Sequence, residues 1–290
     1  MGRSRSIPYD AGVLVRPFDE LARLPDDAID LLEGAIAIAR DEYASVDAAA
    51  VLHELDALAE PLAGEELAGA AVEEQATRLC EHIHGTLGFR GNEGDYGDPR
   101  NSYVCDVLAR RTGIPISLAL VYTEVARRVG VSARGVGFPS HFLVRVDDDP
   151  RIPEPGAVID PFHGRVLDAR ALLELARRAL PGPPRGIDPR HLGPAPARAV
   201  LVRMLSNLKV VYRERGDLAR AHLAVTRIIA LVPPSAQALV ERAELALRLG
   251  AAVSARDDLE RAAALDPHGP AGARAAELLQ KKAERAAALN

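Results

Sequence analysis

Between residues 18 and 88 the apolar positions recur every three or four residues, the spacing of one helical face. "DDAIDLLEGAIAIARDEY" has acids in its first turn and a broad apolar stripe, which predicts an amphipathic helix. "VDAAAVLHELDALAEPL" predicts a second, with Pro61 marking its end, and "EELAGAAVEEQATRLCEHIHGTLG" a third, closed by Gly85 or Gly88. The loop "FRGNEGDYGDPRNS" follows. Asn101 or Ser102 is placed to cap the helix "YVCDVLARRT", which Gly113 stops. Pro115 sits in the first turn of "ISLALVYTEVARRV", and Gly130 ends that helix. Its first half is apolar almost all round, so it belongs at the centre of the fold.

The period then changes. "ARGVGF", "HFLVRV", "GAVIDPF" and "RVLD" are short, rich in Val, Leu and Phe, and separated by turn residues. They predict a small antiparallel sheet packed on the central helix, an α+β arrangement. A Pro/Gly-rich stretch from 181 to 198 reads as a linker. Beyond it Gly216 and Gly250 stand 34 residues apart, as do Pro233 and Pro267, and Ala221 with Val225 recurs as Ala255 with Leu259. That period and that order of small, large and Pro residues are similar to the tetratricopeptide repeat, two antiparallel helices per unit. The expected division is a flexible N-terminus (1–17), a helical region with the α+β core (18–180), the linker (181–198), and two repeat units with a capping helix (199–290).

Composition narrows the function classes. Of 290 residues 48% are hydrophobic and 27% charged, as in ordinary globular chains. The net charge of −5 is spread without a basic stripe, which argues against a nucleic-acid partner. Two Cys residues are too few for a disulfide framework or a thiolate metal cage and suit the cytoplasm. No stretch has the length of a membrane span, so no membrane partner is expected. "MGRSRS" fits the N-myristoylation pattern, but the pattern is short and nothing supports it further.

The chemistry centres on "GFPSHFLVRV", where His141 heads an apolar strand after a Gly/Pro turn. Strand alternation puts His141, Leu143 and Arg145 on one face and the more apolar Phe142, Val144 and Val146 on the other. Asp160, on the next strand, is placed to orient an imidazole, as a carboxylate does in any base–orienter pair. A nucleophile would complete the set, and the start of the buried helix, "GIPIS", is where exposed N–H groups would serve one.

The blocks "NSYVCDVLARRTGIPISLALVY", "GFPSHFL" and "DPF" resemble those of a bacterial family of transglutaminase-like proteins with C-terminal tetratricopeptide repeats. The resemblance implies a transglutaminase-like (papain-like) core, N-terminal helices before it and an all-α repeat segment after it. It also implies a Cys–His–Asp triad: His141 matches the histidine and Asp160 the aspartate. The cysteine has no match, because its helix-start position falls at Ser117. Ser117 then either acts as a nucleophile through His141 and Asp160 or packs its helix. Cys105 would be a displaced nucleophile, or simply core. Two readings of function result. One is a noncatalytic scaffold that binds a peptide or protein; the other is an acyl-transfer enzyme of peptidase or amidase type using Ser117, His141 and Asp160.

The loop "NEGDYGDPRN" contributes binding candidates. Asp95 and Asp98 would receive a cation or a basic ligand, though their spacing misses the EF-hand pattern, and Arg100 and Asn101 would hold substrate. Consecutive turns and local caps account for the same residues. "CEHIH" offers Cys80 and His84 one helical turn apart, but no second cluster completes a metal site. His163, just after "DPF", is a rim group or a turn residue. No metal and no cofactor is expected.

Overall fold

The computed structural model describes residues 15–63, 66–147, 156–179 and 186–287. The "MGRSRS" pattern, within residues 1–14, and residues 181–185 of the expected linker lie outside these. The chain divides into two compact units, one of residues up to 17 and 25–201, the other of 18–24 and 202 onward.

The first unit packs helices on both faces of its sheet. Helices α2 (Leu31–Arg40), α3 (Ala48–Ala63) and α5 (Val104–Arg110) pack around α6 (Pro115–Arg128), and α4 (Val72–Cys80) packs on the sheet. Asp30 caps α2 by accepting from the Glu33 N–H, and Pro115 opens α6 at its first position. As the all-round apolar pattern of α6 requires, Leu118, Ala119, Val121, Tyr122 and Val125 are fully buried. Helix α5 ends on Arg111 in the left-handed conformation (φ 54°) rather than on Gly113. Neither Asn101 nor Ser102 caps it: the N-cap is Tyr103, and Asn101 closes a 3-10 turn, Pro99–Asn101. Pro61 stands inside the last turn of α3 and does not end it. After α4 the chain continues as a π-helical turn, Glu81–Thr86, and Gly88 closes it at φ +75°.

Strands β3 (Ala133–Val136), β4 (Leu143–Val146), β5 (Ala157–Asp160) and β6 (Arg165–Leu167) form an antiparallel meander in sequence order. A two-residue parallel pair, β1 (Arg90–Gly91) with β2 (Thr112–Gly113), ties the loop before α5 to the start of α6. The register pairs Val144 with Ile159 and Arg145 with Val158. Both faces are buried. Val136, Leu143, Val158 and Leu167 pack with Leu172 and Leu175 of α7 (Ala169–Ala179) and with Leu192. Val144, Val146 and Ile159 point the other way, where α6 packs. The face shared by Leu143 and Arg145 is therefore not the open one that its polar ends suggest. Arg145 is buried there, paired with Asp147 and donating to the Leu192 carbonyl.

The described parts of the expected flexible N-terminus and of the expected linker are anchored. Arg16 donates from its backbone and side chain to Glu33, and Val15 is buried. Residues 186–198 close on the edge of β3 instead of running free: Val136 bridges Pro194, the Ala195 N–H donates to Gly135, and Leu192 is 2% exposed. A Pro at a sheet edge is the placement its missing N–H allows.

The second unit holds α1 (Phe18–Leu21), most of α8 (Ala197–Glu214), and α9 (Leu218–Leu231), α10 (Ala236–Arg248), α11 (Ala252–Leu265) and α12 (Pro270–Ala287). The 34-residue recurrence is realised as successive helices. Gly216 and Gly250 follow α8 and α10 at φ +76° and +81°, where only glycine is unstrained. The repeated Ala221/Val225 and Ala255/Leu259 all lie in the core. Arg227 covers the Phe18 ring, its guanidinium carbon 4.7 Å from the centroid, and donates to Asp19.

Candidate functional site

Loop 92–101 is built around one buried amide. Asn101, 0% exposed, donates from Nδ2 to the Asp95 and Tyr96 carbonyls (2.8 and 3.3 Å). Its Oδ1 accepts from Asn92 (2.9 Å) and Arg110 (3.4 Å). Asp98 is buried beside it. Its carboxylate accepts the Arg100 N–H and Nε (3.0 and 3.0–3.1 Å) and pairs with Arg110 (3.1 Å). Burial alone would raise the Asp98 pKa. The hydrogen bonds from Arg100 and the Arg110 and Arg100 charges outweigh it and hold the carboxyl below its ordinary value. Of the four binding candidates, Asn101 and Asp98 thus organise the loop from inside, while Asp95 lies exposed on it and the Arg100 side chain remains more than half exposed.

Ser117 belongs to this network. It is the third residue of α6 and 2% exposed; its Oγ lies 2.6 Å from the Asn101 carbonyl and 3.1 Å from that of Ile114, and accepts the Ile114 N–H. A hydroxyl has one proton, and here both candidate acceptors are backbone carbonyls. Ser117 fastens the loop to α6.

His141 closes a turn. Its N–H donates to the Phe138 carbonyl (3.0 Å) around Pro139 and Ser140, and Ser140 takes φ +56°. A non-glycine residue held there marks a turn that needs a left-handed third position. The regular strand begins only at Leu143. Carrying the β4–β5 register outward brings His141 level with Phe162, at the end of the sheet where β5 turns into β6.

In that turn Asp160 takes its partners. Oδ1 accepts the Phe162 and His163 N–H groups (3.1 and 3.3 Å), and Oδ2 lies 2.7 Å from His163 Nδ1. Arg165, opposite it in register, reaches the same oxygen at 3.6 Å. The imidazole held by the buried Asp160 is His163, three residues on, rather than His141 across the strand. The "DPFHG" spacing carried that signal: an Asp that opens a turn, a Gly that closes it at φ +61°, and a His one turn-length away. The loop and the turn meet. Gly91 donates to the Phe162 carbonyl, a side chain on Gly91 would overlap the Phe162 ring, and Tyr96 packs on that ring at 6.1 Å.

Neither thiol is held below its ordinary value. Burial pushes Cys80 up to about 11, against a lowering hydrogen bond from Tyr122, and burial likewise raises Cys105. Cys105 lines a hollow of about 340 Å³ between α3 and α5, with Glu54 and Arg111. In "CEHIH", His82 Nε2 is taken by the Leu58 carbonyl, and among the described residues no three metal-ligating side chains converge.

A family model described as the transglutaminase-like superfamily matches residues 49–206, from α3 into α8. The chain belongs to that superfamily. A UPF0162 protein of Xylella fastidiosa is 40% identical over 88% of this chain and 90% of its own length. A UPF0162 protein of Pseudomonas aeruginosa is 33% identical over 80% and 83% respectively. Human F-box only protein 21 is 32% identical over 66% of this chain, but that match spans 32% of the human protein. No solved structure matches. The family match thus covers the loop, α6 and the sheet, and within it the Ser117 hydroxyl is turned into the fold.

Proposed function

We propose that this protein is a noncatalytic scaffold of the cytoplasm, a transglutaminase-like core that binds a protein or peptide, joined to a short tetratricopeptide-type array. The observation that carries the reading is the Ser117 hydroxyl, buried and 2.6 Å from the Asn101 carbonyl. A serine nucleophile needs a base on its proton and an open approach to its oxygen; Ser117 has neither. Reuse of the core within a much longer protein, F-box only protein 21, supports a module with a binding role.

The helical unit supports the second half. Its 34-residue period and its buried Ala/Val and Ala/Leu pairs are those of stacked helical hairpins, which cannot bury their faces singly. Helices α8, α10 and α12 line two hollows of about 330 and 390 Å³ that share Arg213 and Arg248. Val210, half exposed, borders one of them. This is the surface on which we place an extended or helical peptide.

Two assays on the full chain test the proposal. Ester hydrolysis and amine incorporation into a glutamine peptide are expected to match the buffer blank and to be the same in Ser117→Ala. Turnover that disappears in Ser117→Ala would establish the acyl-transfer enzyme instead. Selection from a random peptide library is expected to yield binders that Val210→Asp and Arg248→Glu abolish. Binders indifferent to both would move the site off the helical unit.

A further inference from the structure

The pair Asp160–His163 serves no step in the scaffold reading, yet it is built as a reactive imidazole is built. Asp160 is 2% exposed, and its Oδ1 is saturated by two backbone N–H groups. A carboxylate offers only lone pairs, so His163 Nδ1 donates its proton to Oδ2, and in the neutral ring the free lone pair resides on Nε2. The ring is 44% exposed on its side chain, with Phe162 packed edge-on at 5.1 Å. Arg165 approaches the same Oδ2 and is itself more than half exposed, so a guanidinium stands beside the imidazole. An oriented nitrogen nucleophile next to a cation with several N–H donors suits an incoming group that carries several anionic oxygens.

We propose that His163 Nε2 is a phosphoryl-acceptor site, charged by a phosphoramidate or acyl phosphate donor. The Nε2 lone pair forms the bond to phosphorus as the bond from phosphorus to the leaving nitrogen or oxygen breaks, its electron pair departing with ammonia or the carboxylate. The Nδ1 proton remains toward Asp160, which stabilises the charge on the phosphorylated ring, and Arg165 holds the phosphoryl oxygens.

The test is to incubate the full chain with phosphoramidate and follow the adduct by intact mass and phosphorus NMR. One phosphoryl group on Nε2 of His163 is expected, absent in His163→Ala and retained in the exposed-surface control His53→Gln. Formation should exceed that on N-acetylhistidine by about tenfold, the worth of one hydrogen bond to a charged group. Asp160→Asn keeps the imidazole, should slow the reaction by a similar factor, and should shift the tautomer seen by nitrogen NMR; Arg165→Met should slow it without that shift. Label spread over exposed imidazoles, a rate no faster than the free amino acid, or a rate unchanged in Asp160→Asn would overturn the proposal.

Discussion

Ser117 Oγ lies 2.6 Å from the Asn101 carbonyl, joining the third residue of the central helix to the last residue of the loop that precedes α5. The bond joins segments sixteen positions apart. Through Asn101 it extends to Asn92, Asp95 and Tyr96, so one hydroxyl terminates a network that gives the loop its shape. Ser117→Ala is expected to lower stability by about 1–3 kcal/mol, the cost of leaving a buried donor and acceptor unpaired. Urea denaturation checks it, with proteolysis inside 92–101 as a local readout. A variant as stable as wild type would mean that the network does not depend on this bond.

Asp98 makes the same loop sensitive to acid. Its carboxyl is held below its ordinary value in the folded state. The stability it contributes is therefore present in full above the unfolded value and is lost as pH falls through the folded one. Below about pH 4, where an unfolded Asp begins to take up its proton, wild type should lose stability more steeply than Asp98→Asn. Denaturation midpoints measured from neutral pH downward give the comparison. Parallel curves would show that Arg100 and Arg110 do not act on Asp98 in solution.

The turn that carries Asp160 and His163 depends on Gly164, which stands at φ +61° with the His84 ring where a side chain would go. Gly164→Ala is expected to cost about 1–3 kcal/mol, as a strained backbone position does. In a His84→Ala background the overlap is relieved and about 1–2 kcal/mol of left-handed strain should remain. Gly137, by contrast, has open space at its Cβ position and no positive φ, so Gly137→Ala should stay within about 0.5 kcal/mol of wild type. Thermal melts of the four variants decide it; equal effects at 164 and 137 would contradict the geometry.

Local signals proved the most legible in the sequence. Pro115 opens α6, and Gly88, Gly130, Gly216 and Gly250 all stand at positive φ after helices, because capping chemistry is written within a few residues. The alternation of "HFLVRV" and "GAVID" was enough for an antiparallel pair. Long-range partnerships were not legible. Asn101 has the profile of a helix cap, and only closure of the loop onto Asn92 and Tyr96 makes it a hub. Pro/Gly content in 186–198 is what a linker and an edge segment share, and the bridge from Pro194 to Val136 spans 58 positions. Asp160 was expected to face a histidine across strands. The carboxylate instead bends back to His163, because a turn offers it two N–H groups that a strand end does not.

Arg242 and Asp258 show what holds the helical unit together. The guanidinium donates from Nε and Nη2 to both carboxylate oxygens at 2.7 and 2.6 Å, linking α10 to α11, and Asp258 is 4% exposed. A bidentate pair fixes orientation as well as distance, and Ala243, Ala255 and Leu259 pack in the core of the same helices. Arg242→Ala strands a buried carboxylate and should cost about 3–5 kcal/mol, whereas Arg242→Met with Asp258→Leu replaces both charges by apolar volume and should recover most of that loss. Calorimetry on the full chain can read the effect as a separate early transition of residues 202 onward. If Arg242→Ala melts as wild type does, the pair is not maintained in solution. If the double variant is as unstable as the single one, the interface needs the hydrogen bonds themselves and not merely the absence of a lone buried charge.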